Sequence, residues 1–420
     1  MATPRVPNQT LPRVILLAVF LALVMTVISR APALPASHAV ALSNGVALTP
    51  PMGWNSWYWL QCNIAAGDVE RAAYAIATNG MREAGYSYVN VDDCWQGNRA
   101  QDGTITADPD RFPDGMKPVV DYIHSLHLKF GIYTDAGSAT CMGFPGSLGH
   151  EQQDADTYAG WGVDFVKVDW CNSDGLDPRS QYDTMRDALQ TASATVRHPM
   201  VFSICDWGVD SPWSWGPNIG NMWRTAADIG YGDPRSLWDR LVGTVDQNAG
   251  HAAVAHPGAW NDPDALEVGL GWLNDVEDRS QFTLWAMMAA PLLLSNDPGS
   301  ISSYTKATVT NRDVIAIDQD SAGVQGSVVG QDSTGQLQVW VKPLSTPGTW
   351  AVALFNRGSR EAEMRTDWRH DLGLASGTAA VRDLWGGSPA TTARDGYSAR
   401  VPGHGVVLLK VTTGAGPAPR

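Results

Sequence analysis

The feature that most constrains this chain is a set of apolar runs that end in charge. In Phe165-Val166-Lys167-Val168-Asp169 a lysine and an aspartate alternate with valines. Residues two apart on a strand share a face, so Lys167 and Asp169 project together. Similar runs occur at residues 86–91, 130–134, 200–205, 221–225 and 291–295. They are continuously apolar, the mark of parallel strands covered on both faces. Helical patterns separate them, at residues 68–84 and at residues 115–126, where Val119, Val120, Ile123 and Leu126 form one stripe. Repeated βα units over residues 45–324 fit a (β/α)₈ TIM barrel, an α/β fold. The rival, an open doubly wound sheet, carries a Gly-rich phosphate turn after its first strand. Here that region reads Pro51-Met52-Gly53-Trp54-Asn55-Ser56-Trp57, with no such turn.

Polar residues stand at the C-terminal ends of these runs: Asp92 and Asp93, Tyr133 and Asp135, Lys167 and Asp169, Asp206, Arg224 and Asp228, Asp262 and Asp264. In a barrel those positions share one mouth. After about residue 325 the helical period stops. Short strand-like runs at 337–342, 350–356, 379–385 and 406–411 alternate with turns, which reads as an antiparallel β-sandwich over 325–413. Residues 414–420, rich in Gly, Pro and Ala, read as a disordered tail.

Residues 1–39 read as a secretory leader. Arg5 and Arg13 precede an apolar stretch from Val14 to Ile28, with Ser37-His38-Ala39 as a cleavage triplet. The stretch is shorter than the roughly 20 residues that span a bilayer. Secretion and no membrane partner after cleavage are therefore expected. A net charge of −14 argues against nucleic acid and anionic membranes and suits a neutral ligand. Five cysteines, Cys62, Cys94, Cys141, Cys171 and Cys205, leave at least one unpaired within the chain, and none has zinc-knuckle spacing. No metal and no cofactor is expected.

Two carboxylates, each escorted by a cation and delivered to a barrel mouth, are what glycosidic-bond cleavage needs. Asp169 reads as the nucleophile, kept ionised by Lys167, and Asp228 as the general acid. On an extended strand Arg224 and Asp228 would lie about 13 Å apart, so a direct ion pair needs a bend or bulge, and Arg224 is expected rather to hold a sugar hydroxyl. Asp92 and Asp93 read as acceptors for vicinal hydroxyls, with a helix N-cap by Asp93 as the alternative. A calcium site would want more oxygen ligands at tight spacing. Trp57 reads as the ring on which a sugar's C–H face stacks; whether the other strand-end tryptophans face the ligand or fill core stays open.

These motifs resemble glycoside hydrolase family 27, the α-galactosidases and α-N-acetylgalactosaminidases, from about Leu48 to the C-terminus. The resemblance rests on the Pro51–Trp57 segment, Val91-Asp92-Asp93-Cys94-Trp95, Arg111-Phe112-Pro113-Asp114-Gly115, Gly131-Ile132-Tyr133, Gly143-Phe144-Pro145-Gly146-Ser147, Lys167-Val168-Asp169, Trp223-Arg224 through Asp228, and Trp260-Asn261-Asp262-Pro263-Asp264. It implies a barrel followed by a β-sandwich and retention of anomeric configuration by double displacement. It puts the nucleophile on Asp169, the acid/base on Asp228, and sugar contacts on Trp57, Asp92, Asp93, Tyr133, Lys167, Arg224 and Asp264. It implies disulfides Cys62–Cys94 and Cys141–Cys171. A third disulfide of some relatives would need a cysteine at Gly220, so Cys205 is expected to be a free thiol. Asp206 stands where α-galactosidases often carry Glu, beside the sugar 2-substituent; a carboxylate there would oppose an acetamido group. The implied substrate is a galactoside oligosaccharide or polysaccharide. Related specificities on this scaffold are β-L-arabinopyranosidase, isomalto-dextranase and α-N-acetylgalactosaminidase activity, and the alternative of another class is a non-catalytic galactose-binding protein.

Overall fold

A computed structural model describes residues 42–233, 236–374 and 377–414. The expected leader at 1–39 and all but the first residue of the expected tail lie outside the described residues. Eight parallel strands form one sheet: β1 (Met52–Asn55), β2 (Tyr88–Asn90), β3 (Lys129–Asp135), β4 (Phe165–Asp169), β5 (Val201–Cys205), β6 (Met222–Arg224), β7 (Trp260–Asp262) and β8 (Leu292–Leu294). Their order is β8-β1-β2-β3-β4-β5-β6-β7. The two edges meet where Leu266, just past β7, bridges Leu294 of β8 in parallel, with its N–H 2.8 Å from the Leu293 carbonyl. The sheet thus curls round on itself as a (β/α)₈ barrel.

Helices α1 (Ala66–Thr78), α2 (Met116–Ser125), α3 (Glu151–Trp161), α4 (Pro178–Val196), α5 (Leu237–Ala249) and α6 (Asp275–Met288) lie in the crossovers between strands. The pattern at residues 68–84 is two helices, because Gly80 takes φ 96° and breaks the chain before a short turn of helix at Met81–Ala84. Local signals start the others. Asp177 accepts a hydrogen bond from Ser180 N–H ahead of α4, and Asn274 forms a capping box with Glu277 ahead of α6.

Inside the barrel, Tyr88, Phe165, Val201, Met222, Trp260 and Leu293 pack as an apolar plug. The period of two then explains β4. Phe165 belongs to the plug, Lys167 stands one layer higher, and Asp169 stands at the top. Register preserves the layers: Tyr133 is opposite Lys167, Lys167 opposite Ser203, and Asp169 opposite Cys205.

After α7 (Ser303–Val309) and α8 (Arg312–Asp318) the chain enters the antiparallel part. Strands β9 (Ser327–Gln331), β10 (Leu337–Pro343), β11 (Thr349–Asn356), β12 (Ala362–Asp367), β13 (Thr378–Asp383), β14 (Thr391–Arg394), β15 (Gly396–Val401) and β16 (Val406–Thr413) form a six-stranded sheet, β9-β10-β11-β16-β13-β14, and a β12-β15 pair. Alternation on β11 shows how this sandwich is held. Ala351, Ala353 and Phe355 join the barrel's core, whereas Val352 and Leu354 face the sandwich's own core with Met364 and Val401. One face of the large sheet is therefore an extension of the barrel core, and packing is the role the sandwich visibly plays.

Strand closeness at the barrel start yields a stability test. A Cβ on Gly53 would lie 2.4 Å from the Tyr88 carbonyl oxygen, whereas one on Gly160 of α3 meets nothing within 4 Å. Gly53→Ala is expected to destabilise the protein by about 3 kcal/mol through overpacking, and Gly160→Ala to stabilise it by about 0.5–1 kcal/mol through helix propensity. Denaturant melts of the two variants should move in opposite directions.

Candidate active site

The strand ends open onto a cavity of about 420 Å³, within the roughly 300–1,000 Å³ range of small-ligand sites. Every barrel strand or the loop after it contributes to the wall: Asn55 and Trp57; Asp92 and Asp93; Tyr133; Lys167 and Asp169; Cys205 and Trp207; Arg224, Asp228 and Tyr231; Asp262 and Asp264; and Leu293. The two expected catalytic carboxylates, Asp169 and Asp228, therefore line one cavity, and all the expected sugar contacts but one line it with them.

The exception is Asp206. It is fully buried and not part of the wall. Its Oδ1 accepts a 3.2 Å hydrogen bond from Gly208 N–H, and its Oδ2 has no partner among the described residues. Burial raises its pKa to about 7. The reason is the period of two: Cys205 is in register with Asp169 and lines the cavity, so the next residue leaves the wall. Trp207, at φ 55°, then returns to the wall. The specificity argument built on an Asp206 carboxylate against an acetamido group accordingly falls.

Two further expectations need correction. Lys167 Nζ lies 2.8 Å from Asp92 Oδ2, so its direct partner is Asp92 rather than Asp169. Burial opposes the Lys167 ammonium, but Asp92, Cys205 and Asp169 outweigh it and hold its pKa well above the ordinary value. Asp169 itself is pushed up to about 6. Burial is the main cause; Lys167 pulls down, Asp228 and Asp92 push up, and the Tyr133 hydroxyl, 3.0 Å from Oδ2, pulls down. The second correction concerns Arg224. β6 stops at that residue and the chain turns, so Nη1 reaches Asp228 Oδ1 at 2.7 Å and Asp264 Oδ1 at 3.2 Å. Nη2 donates to the Ala226 carbonyl at 3.0 Å. Arg224 holds two carboxylates in place instead of reaching for a hydroxyl.

Asp92 and Asp93 sit in a web of donors. Asp92 Oδ2 accepts from Asn55 Nδ2 (2.7 Å) as well as Lys167, and its Oδ1 accepts from Asp93 N–H (2.9 Å). Asp93 accepts from Cys94 N–H (2.7 Å) and Met142 N–H (3.0 Å). No helix follows Asp93, which removes the N-cap alternative. A carboxylate offers about four acceptor positions, so both residues retain capacity for hydroxyl donors from the cavity. Asp264, at φ 127°, accepts from Ile229 N–H (2.7 Å), Tyr58 OH (3.0 Å) and its neighbour Ala265 N–H (2.8 Å). Burial, partly offset by Arg224, raises its pKa to about 6.

Disulfide Cys62–Cys94 ties the segment after β1 to the loop carrying Asp93, and Cys141–Cys171 ties the loops after β3 and β4. Cys205 is free and buried. Sequence reasoning missed Asn55, Tyr58, Trp207 and Tyr231. Asn55 and Tyr58 flank motif residues and could have been taken with them; Tyr231, three residues beyond Asp228, carries no sequence signal of its own.

A cavity lined by acids at the C-terminal mouth of a (β/α)₈ barrel is where enzymes of this fold carry their active sites. Known proteins narrow the class. A family model described as alpha galactosidase A matches residues 49–320, and one described as alpha galactosidase C-terminal beta sandwich domain matches residues 334–411. Alpha-galactosidase A of Cellvibrio japonicus is 42% identical over 385 residues, covering 87% of this chain and 93% of the relative. Alpha-galactosidase of Coffea arabica is 44% identical over 375 residues, covering 88% and 96%. The crystal structure of alpha-galactosidase I from Mortierella vinacea superposes with a TM-score of 0.81 at 37% identity, covering 88% of this chain and 98% of that one. The chain belongs to the α-galactosidase family, glycoside hydrolase family 27, and is an enzyme of that class.

The buried carboxylates set the sign of the pH dependence of stability. Asp135, raised to about 8 mainly by burial and then by Asp169, joins Asp206 and Asp278, each raised to about 7 mainly by burial. In the unfolded chain such groups titrate near 4. The folded state therefore holds more protons between those values. This contribution is complete below about pH 4 and is lost as pH rises through 7 to 8. The thermal unfolding midpoint is expected to fall steadily from pH 5 to pH 9; a midpoint that climbs across that window would contradict the burial of these groups.

Proposed function

We propose that the protein is a secreted, retaining α-galactosidase that removes terminal α-D-galactosyl residues from oligosaccharides or polysaccharides. The observation that carries this reading is the convergence of Asp169 and Asp228 on one sugar-sized cavity, close enough that the Asp228 charge raises the Asp169 pKa. Galactose as the sugar is supported by the relatives' activity and by Asp92 and Asp93, which retain acceptor capacity for a pair of neighbouring hydroxyls. Export is supported by the leader-like residues 1–39 and by two disulfides, which persist in oxidising compartments.

In this mechanism Trp57 backs the ring while Asp92 and Asp93 accept hydrogen bonds from its hydroxyls. An Asp169 oxygen attacks the anomeric carbon as the bond to the leaving oxygen breaks, and Asp228 gives that oxygen its proton. Asp228, now ionised, takes a proton from water. The resulting hydroxide attacks the same carbon and releases Asp169. Two inversions give net retention. Tyr133 OH and Trp170 N–H, at 3.0 Å from the two Asp169 oxygens, orient the attacking carboxylate. Arg224 Nη1, 2.7 Å from Asp228 Oδ1, fixes the position of that carboxyl group.

External azide separates the two roles. Asp169→Ala is expected to lose at least a thousandfold in kcat on 2,4-dinitrophenyl α-galactoside, in line with removal of a nucleophile. Added azide should then restore turnover and yield the β-galactosyl azide, since it enters from the nucleophile's side. Asp228→Ala should still form the galactosyl-enzyme from this activated substrate, and azide should yield the α-galactosyl azide. Chromatography of the azide products reads the result; the same anomer from both variants would refute the assignment.

A further inference from the structure

Beyond the galactose cavity, a line of aromatic rings leads outward on one side. Tyr231 lines the cavity yet is 50% exposed, and its hydroxyl accepts a 2.7 Å hydrogen bond from Trp57 Nε1. Its ring meets Tyr58 edge-on at 6.3 Å between centroids. Tyr58 in turn meets Trp272 edge-on at 5.5 Å. Trp272, on the loop between β7 and α6, is 41% exposed. Tyr58 is buried and held at its hydroxyl, donating to Asp264 and accepting from Gly230 N–H at 3.3 Å. The two outer rings are thus splayed from a fixed buried one. A half-exposed phenol and a half-exposed indole thus stand on either side of one rigid mount, and aromatic faces of this kind stack on the C–H faces of sugars.

Their position says what the two rings receive. Tyr231 lies three residues beyond Asp228 on one loop. The leaving oxygen is the atom that takes the Asp228 proton, so the leaving group must lie beside Asp228; the attacking carboxylate, Asp169, works on the opposite face. The leaving group therefore passes over Tyr231. A neutral pyranose offers a flat C–H face to an aromatic ring, and the acid-rich mouth on a chain of net charge −14 disfavours an anionic leaving group. We infer that Tyr231 and Trp272 form a leaving-group subsite for the neutral sugar residue next to the scissile bond, making the enzyme selective for galactosyl oligosaccharides over galactosides with small leaving groups. This rests on the proposed double displacement with Asp228 as the acid.

The test compares kcat/KM for raffinose, whose leaving group is a sugar, with that for α-galactosyl fluoride, whose leaving group is a single atom. Aromatic contacts of this kind contribute roughly threefold to tenfold each. Tyr231→Ala and Trp272→Ala are each expected to lower the raffinose-to-fluoride ratio by that factor. General damage to the site would lower both substrates in parallel and leave the ratio unchanged, and that result would overturn the subsite. A ratio that falls for Met142→Ala, on the β3 loop, and not for Trp272→Ala would overturn it too. Failure of the wild-type enzyme to turn over galactosyl fluoride would instead sink the glycosidase reading beneath it.

Discussion

Keeping many carboxylates together in a low-dielectric space is the constraint on which this structure turns. Asp92, Asp93, Asp169, Asp228, Asp262 and Asp264 line one cavity with, among the described residues, only Lys167 and Arg224 as cations. Burial of ionised groups is tolerated only when they are paired or hydrogen-bonded. The barrel supplies the remedy, because loops leaving parallel strands turn sharply and expose backbone N–H groups. Asp93, Asp169 and Asp264 each accept from the N–H of the following residue. What the N–H groups leave unmet, the two cations share out. Lys167 serves Asp92, and Arg224 bridges Asp228 and Asp264. Removing Arg224 would take the neighbouring cation from two acids at once, so its part in the site is electrostatic scaffolding.

The same arrangement sets the protonation of Asp169. Asp169 lies near 6 because burial outweighs Lys167. A carboxylate poised there is ionised at neutral pH yet only weakly solvated, the state that the proposed double displacement asks of its nucleophile. Non-glycine residues in the left-handed region, Cys94, Trp207 and Asp264, stand at the mouth, where their strain must be offset by the surrounding structure. The disulfides at Cys94 and Cys171 and the apolar plug beneath the acids provide that support. The sandwich adds to it by extending the barrel's core through Ala351, Ala353 and Phe355.

Much of the barrel was legible because its strands are buried on both faces and so are continuously apolar. Strands that lack that burial were not: Thr391–Arg394 and Ala362–Asp367 are short, polar and half exposed, and carry no run to detect. Trp260–Asp262 is only three residues long and was visible only as the lead-in to a polar motif. At the site, the residues that the resemblance implied line the cavity, with Asp206 the exception. There the strand period, read from Asp169 to its register partner Cys205, was the better guide. The reading of Arg224 failed for a related reason. It weighed an extended strand through Asp228 above a bend, whereas backbone pairing ends at Arg224 and lets the side chain fold back.

The sequence by itself determined the repeating βα order, the collection of acids at strand ends, and the family, because each is written in local pattern and spacing. Only the tertiary structure decided which cation serves which carboxylate, that Asp206 turns away, and that Tyr231, Tyr58 and Trp272 align beside the mouth. Those outcomes depend on where strands stop and how loops from distant parts of the chain meet in three dimensions. Sequence spacing does not encode such distances, and Coulomb and hydrogen-bond energies depend on little else.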